Sequence, residues 1–286
     1  MPRQLVEQKL LEFLTDDIGQ GDITATALIP PNQTTTAHVI AKENGTLAGI
    51  EEATILAEAL NLKTQPQTTD GQQIHKNQIL LELTGCAQTI LVAERTLLNL
   101  LSRMSGIATQ THTLTQQLQT TTNPNIRIAA TRKSAPGLLY FDKKAVLIGG
   151  GDPHRLHLDD MVLIKDNHLV LSGSVEETLK KAKTHTSFSK KIEIEVTTPQ
   201  DALKAAEGGA DIIMLDNFSP QQAKETAQKL RQAGHTKILL EVSGGITPQN
   251  LLEYANADIN IISIGGLTHS VKALDISLKI VKHSVK

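Results

Sequence analysis

The sequence predicts an α/β protein whose second half is a β/α barrel, and three observations carry that prediction. First, short β-branched apolar runs recur at 126–130 (IRIAA), 161–164 (MVLI), 192–196 (IEIEV), 212–215 (IIML), 238–242 (ILLEV) and 259–264 (INIISI). Most are nearly continuous, as parallel strands covered on both faces require. Second, the helices between them are signposted. Thr198-Pro199, Ser219-Pro220 and Thr247-Pro248 each set an N-cap hydroxyl before a proline at the first helical position. Third, the units recur every 20–30 residues or so, the length of one strand, one helix and two turns. Six such units give a barrel of six to seven strands, short of the usual eight. A doubly wound open sheet shares this periodicity and stands as the alternative.

The elements follow in order. MPRQLVEQKLLEFLTDD is an amphipathic charged helix without the apolar core or cleavage site of a signal peptide. TAHVIAKENGTLAG (36–49) reads as two strands around an Asn44-Gly45 type I′ turn. An Ala-rich helix is expected over 51–60 and a further strand over 78–83. This mixed order makes residues 1–108 an N-terminal α+β open-sandwich domain, with the tail 270–286 packing on it. A helix from Ala93 to about Gln119 leads into the barrel domain, 109–269, with a kink expected at Ser105-Gly106. The Thr/Gln/Asn-rich stretch 116–125 reads as the linker. Ser174 with Glu177, and Ser219 with Gln222, fit the capping box, while Gly208-Gly209 and Gly234 close the helices begun at Pro199 and Pro220. IEIEV alternates, so Glu193 and Glu195 share one face, which inside a barrel is either a polar interior or a site.

Composition excludes several classes. The 286 residues are 40% hydrophobic, enough for a packed core, but only 2% aromatic, so aliphatic side chains must fill it. A net charge of -2 argues against general nucleic-acid or acidic-membrane binding. One cysteine, Cys86, rules out an intrachain disulfide and a Cys-based zinc site. No run approaches the roughly 18 apolar residues of a membrane span. A protein of a reducing cytoplasm is expected.

The chemistry gathers where strands end. In chain order these ends carry Arg132-Lys133, Lys165, Glu195, Asp216, Ser243-Gly244-Gly245 and Gly265-Gly266. His154 and Arg155 add a second basic cluster beside a Gly-Gly-Gly run. Fixed cations at strand ends suit a small substrate with several negative charges, each of which needs a donor once water is excluded. Glycine pairs let backbone N–H groups approach a phosphate, and a helix starting at Pro248 offers a positive dipole end. Glu195 and Asp216 have two open readings. They are either salt-bridge partners of Lys165 or Lys133, or holders of ribose hydroxyls and of a Mg²⁺ ion carried on pyrophosphate. A solvated basic face is the plain alternative for the cations.

The same residues sit in motifs that resemble the quinolinate phosphoribosyltransferase family, the nicotinate-nucleotide pyrophosphorylases (carboxylating). The likeness runs through DDIGQGDIT (16–24), AERTLLNLLSRMSGIAT (93–109), 131–168 with LIKDNH at its end, IEIEV, IIMLDNF (212–218), EVSGGI (241–246) and SIGGLTHS (263–270). The resemblance implies a pentosyltransferase of NAD (pyridine nucleotide) biosynthesis. It would join quinolinate to phosphoribosyl pyrophosphate and release nicotinate mononucleotide, pyrophosphate and CO2, with Mg²⁺ and no organic cofactor. It also implies roles. Arg132, Lys133, His154, Arg155 and Lys165 match residues that bind the dicarboxylate and the phosphates. Glu195 and Asp216 match the ribose and metal side, and His269 the phosphate site. Lys133, Lys165, Glu195 and Asp216 would be catalytic. Arg95 matches an arginine that reaches the neighbouring subunit's site, which implies a homodimer or a larger assembly of dimers. The chain departs from the family's usual TRKTxPGLR at Ser134-Ala135 and at Leu139, where an arginine is missing, and His157 replaces a small residue or Asn.

Three rivals are weighed beside it. They are a phosphoribosyltransferase acting on another ring acid, a Schiff-base aldolase using Lys133 or Lys165, and a non-catalytic sensor of a phosphorylated metabolite.

Overall fold

A computed structural model describes residues 1–281. The chain begins with α1 (Arg3–Ile18) and α2 (Ile23–Leu28), then β1 (Thr34–Ala41), β2 (Gly45–Thr46), α3 (Ile50–Ala59), β3 (Lys63–Pro66), β4 (Gln73–Ile74) and β5 (Ile79–Cys86). The long helix α4 (Ala87–Gln119) is followed by β6 (Arg127–Ala129), α5 (Leu139–Ile148), β7 (Val162–Ile164), α6 (Asp166–Ser172), α7 (Val175–His185) and β8 (Ile192–Val196). Next come α8 (Pro199–Glu207), β9 (Ile212–Asp216), α9 (Pro220–Gln232) and β10 (Leu239–Ser243). Then α10 (Leu251–Tyr254), β11 (Ile261–Ser263), α11 (Gly266–His269) and β12 (Ile276–Ile280) complete the described elements. Among the described residues no helix is long and apolar enough to cross a membrane.

The chain divides into two units. The first comprises Met1–Gln110, Tyr140–Gly149 and the described residues from Val271 on. Its sheet has the order β12-β1-β5-β3, with every neighbour antiparallel. Val39, Leu81 and Leu83 are wholly buried in it. Helix α1 buries Val6, Leu10 and Leu14, one residue per turn, and packs against α3. The expectation for the tail covers 270–286, of which 282–286 lie outside the described residues. Helix α5 is tied into this unit by charge. Arg103 grips the buried Asp142 with two hydrogen bonds, at 2.7 and 2.9 Å, and Lys144 pairs with Glu51 and Glu52.

Two sequence expectations fail in this unit, both for packing reasons. There is no hairpin at Asn44-Gly45. Strand β1 pairs with β5 and β12, while β2 pairs with β4, and Gly45 is not in the left-handed region that a type I′ turn demands. Gly45 is there for close approach: a Cβ would lie 2.7 Å from Thr109 Oγ1 and 2.8 Å from Leu274. Likewise α4 runs unbroken through Ser105-Gly106. A Cβ at Gly106 would stand 2.1 Å from the Lys272 carbonyl oxygen, and Ser105 Oγ hydrogen-bonds both the N–H and the carbonyl of Ala48 at 3.1 Å. The pair serves to seat neighbouring backbone against the helix.

The second unit comprises Thr111–Leu139 and Gly150–Ser270. Its six strands are all parallel in the order β6-β11-β10-β9-β8-β7. The first strand of the unit therefore pairs with the last, which is how a barrel closes and not how a doubly wound sheet is built. A seventh position is marked on the far side of β6. There Asp152 bridges Ala129 in parallel fashion, its N–H donating to the Ile128 carbonyl and its own carbonyl accepting from Ala130. Among the described residues no pairing joins that segment to β7, so the barrel is open on one side. Caps at Ser174, Thr198 and Ser219 start α7, α8 and α9 where the sequence places them, each accepting from the N–H three residues on. The helix expected at Pro248 does not form there. Thr247-Pro248 lies in a turn held by Asn250, whose Oδ1 accepts from Thr247 N–H at 2.8 Å, and α10 is four residues beginning at Leu251. No helix dipole is therefore directed from Pro248, and four residues are too few to build one.

Candidate active site

Parallel register decides which side chains meet. Glu195 pairs with Met214 and Met214 with Glu241, so these three stand side by side on the barrel's inner face. One step further along, Asp216 pairs with Ser243. The strands end immediately beyond, as the chemistry of β/α barrels requires. Here lies a cavity of about 510 Å³, within the range of small-molecule sites. Its walls include Arg132, Lys133, His154, Arg155, Lys165, Glu195, Asp216, Ser243, Gly244 and Gly245. The cations of the sequence are thus brought to one place instead of spread over a solvated face.

Their electrostatics favour an anion. Burial, and after it the charge of Arg132, holds the Arg155 guanidinium below its ordinary range. Two guanidiniums that destabilise one another are relieved by a carboxylate or phosphate bound between them. Lys165 Nζ donates to Glu195 Oε2 at 3.0 Å, so the salt bridge open to that carboxylate is present. Burial, then the Glu195 charge, pushes Asp216 above the usual carboxylate range, against the pull of Asn217, Lys165 and Lys133. Two carboxylates that oppose one another in this way fit a cation between them. A Schiff-base role fits Lys165 poorly, since its side chain is 46% exposed and ion-paired.

The loops are shaped by backbone. Asn217 has φ 57° and Gly244 φ 89°, and the two pack so closely that a Cβ on Gly244 would lie 2.3 Å from Asn217 Oδ1. Asn217 N–H donates to the Ser243 carbonyl at 2.9 Å, and its side-chain amide donates to Asp216 Oδ2 at 2.6 Å. Asn217 therefore orients a site carboxylate and fixes the following glycine loop. Lys133 is held by its main chain, its carbonyl accepting from Thr268 Oγ1 at 2.6 Å. A Cβ on Gly265 would meet Lys133 Cδ at 3.3 Å and the His269 ring at 3.2 Å, which puts those three together. Gly265, Gly266 and His269 do not line the cavity itself. Arg95 is exposed on α4 within the first unit, and no ion pair is made by it among the described residues. His168, in the same KDNH motif, accepts from Lys165 N–H through Nδ1 at 2.9 Å and so shapes the start of α6.

At the cavity floor is a cluster that the strand-end reading missed. His154 has φ 52°, fixed by its N–H donating to Asp152 Oδ1 at 2.7 Å. Its Nε2 is 3.2 Å from Glu241 Oε2 and 3.4 Å from Glu193 Oε2, and both glutamates are fully buried. Burial alone would lower the imidazole pKa, but the two carboxylates override it and raise it to about 10. Burial, with Glu241 beside it, pushes Glu193 upward. Alternation in IEIEV signalled Glu193, whereas nothing local signalled Glu241, which lies in the apolar run ILLEV.

Comparison with known proteins places the chain. Residues 22–105 match the quinolinate phosphoribosyl transferase N-terminal domain and residues 107–279 the C-terminal domain of the same family. The probable nicotinate-nucleotide pyrophosphorylase [carboxylating] of Methanothermobacter thermautotrophicus is 43% identical over 270 residues, covering 94% of this chain and 96% of that protein. The Dictyostelium discoideum nicotinate-nucleotide pyrophosphorylase [carboxylating] is 36% identical over 296 residues, covering 99% and 98%. The solved structure of the Francisella tularensis nicotinate-nucleotide pyrophosphorylase superposes with a TM-score of 0.90 at 35% identity, covering 98% of each chain.

Proposed function

The chain belongs to the quinolinate phosphoribosyltransferase family, and we propose that its cavity transfers phosphoribosyl from phosphoribosyl pyrophosphate to the ring nitrogen of quinolinate. The product would be nicotinate mononucleotide, with loss of CO2, a pentosyltransferase step of NAD biosynthesis. The observation that carries this reading is the convergence of Arg132, Lys133, His154, Arg155 and Lys165 on one cavity with Glu195 and Asp216.

In this reading Arg132, Arg155 and His154 take the two ring carboxylates by charge-assisted contacts. The ring nitrogen attacks the anomeric carbon as the bond to pyrophosphate breaks. Lys133 and Lys165 offset the charge leaving on pyrophosphate, and Glu195 and Asp216 hold the ribose hydroxyls as positive charge grows on the sugar. Ser243, Gly244 and Gly245 present backbone to the 5-phosphate, with Gly265, Gly266 and His269 supporting the same end. The carboxylate beside the new pyridinium nitrogen departs as CO2. The electron pair left on the ring carbon is stabilised by the adjacent positive nitrogen until a proton replaces it, so no organic cofactor is called for. The mutual repulsion of Glu195 and Asp216 fits a Mg²⁺ ion held there, mostly through substrate and water, which would screen pyrophosphate charge. A single cysteine without a disulfide partner fits a reducing cytoplasm. Arg95, exposed and without an ion pair among the described residues, would serve the site of a neighbouring subunit in a homodimer.

The test compares acceptors. Purified protein with phosphoribosyl pyrophosphate and Mg²⁺ should form nicotinate mononucleotide from quinolinate and much less from nicotinate. Equal or faster turnover of nicotinate would sink the decarboxylating assignment, because one carboxylate would then suffice. A ring acid preferred over both would point to the related transferase, and no turnover of any acceptor to the sensor.

A further inference from the structure

The cluster at the cavity floor has features that a purely structural network would not keep. His154 is a non-glycine residue in the left-handed region, a strain that persists where the surroundings enforce it. Oε1 of Glu193 and Oε1 of Glu241 are buried without a hydrogen-bond partner, and Oε2 of Glu193 has only the His154 ring, at 3.4 Å. Leaving buried carboxylates so under-satisfied is costly unless a positive charge is bound to them. That charge is the ring of His154, which is 11% exposed in its side chain and lines the cavity. Nε2 faces the glutamates, so Nδ1 lies on the opposite edge of the ring, and it has no partner among the described residues. A neutral ring donating from Nε2 would turn a bare lone pair toward the cavity and repel an anion there.

The geometry points to Glu193 and Glu241 as positioning residues for the acceptor: they clamp the Nε2 edge of His154 so that Nδ1–H is presented to a ring carboxylate in the cavity. The assignment rests on the acceptor reading above. It gives the two buried glutamates a defined task. They fix which ring edge faces the ligand and supply the negative charge that keeps both ring nitrogens protonated. The charge of Arg155 acts on Glu193 as well, so the clamp and a second acceptor-binding cation share one counter-charge.

Glu193→Gln with Glu241→Gln is the test, since glutamine keeps the volume while removing the charge and one acceptor oxygen. The KM for quinolinate should rise about ten- to hundredfold, as for loss of a charge-assisted contact, with the KM for phosphoribosyl pyrophosphate unchanged. NMR of isotope-labelled histidine supplies a readout on the wild-type protein, independent of how the variant folds. At about pH 8, where a free histidine is neutral, His154 should carry protons on both ring nitrogens, and Nδ1 should respond to added quinolinate. In the double variant the ring should become neutral. An unchanged quinolinate KM in a variant with native spectra would overturn the proposal, as would a neutral His154 in the wild type. So would a divalent metal ion co-purifying stoichiometrically on the three side chains, which lie close enough together to ligate one. Absence of quinolinate turnover in the wild type removes the acceptor reading itself, an outcome distinct from turnover that is insensitive to the glutamines.

Discussion

Lys133 and Lys165 enter the cavity in different ways, and the difference is testable. Lys165 is the residue before α6 and is paired with Glu195, whereas Lys133 is fixed through its carbonyl by Thr268. If both act on the leaving group, Lys133→Ala and Lys165→Ala should depress kcat more than they weaken binding. Arg132→Ala and Arg155→Ala should chiefly raise KM, each losing a charged contact of roughly 1.5–3 kcal/mol. Steady-state kinetics of the four variants separates the two classes, and a lysine variant with unchanged kcat would lose its assigned role. Arg132, Lys133 and Lys165 were legible in the sequence because they close apolar runs, and a strand end is a fixed address, whereas Arg155 stood out beside His154 after a glycine run. Asn217 and Glu241 were not legible. The first matters through a left-handed backbone and the second through its register across β9, and neither property is written in neighbouring residues.

At the scale of elements, helix starts were legible wherever a hydroxyl preceded proline and nothing competed. Ser219 and Thr198 cap α9 and α8 as expected. Thr247-Pro248 carries the same signal, yet Asn250 captures Thr247 N–H and makes a turn of it. Asn44-Gly45 is similar, a strong local turn signal outweighed by pairing of β1 with two distant strands. The glycines expected to make a turn and a kink, Gly45 and Gly106, are contact points instead. Gly106 is the clearest, because the atom that a Cβ would strike is a backbone carbonyl that cannot rotate away. Gly106→Ala should therefore lower stability by about 1–3 kcal/mol, the usual cost of overpacking. Urea unfolding of the variant checks this, and an unchanged midpoint would show that the Lys272 segment yields freely.

For the whole molecule, the six parallel strands and their order in sequence were legible, whereas β3, β4 and β12 were not, nor was the choice between barrel and open sheet. It turns on β6 meeting β11, a contact between residues more than a hundred positions apart. Periodicity has no access to such a pairing. Assembly is the remaining property at this scale. If Arg95 serves a partner's site, Arg95→Ala and Lys165→Ala proteins, each inactive, should regain activity on mixing. After random exchange about half the dimers are mixed and each has one intact site, so recovery should approach about a quarter of wild-type activity. No recovery despite demonstrated exchange would place the whole site within one chain. Quinolinate labelled at the carboxylate beside the ring nitrogen shows whether this cavity couples phosphoribosyl transfer to loss of that carboxylate. Labelled CO2 and pyrophosphate should form in equal amounts, with an unlabelled nucleotide. Pyrophosphate release with the label retained in the nucleotide would contradict that coupling.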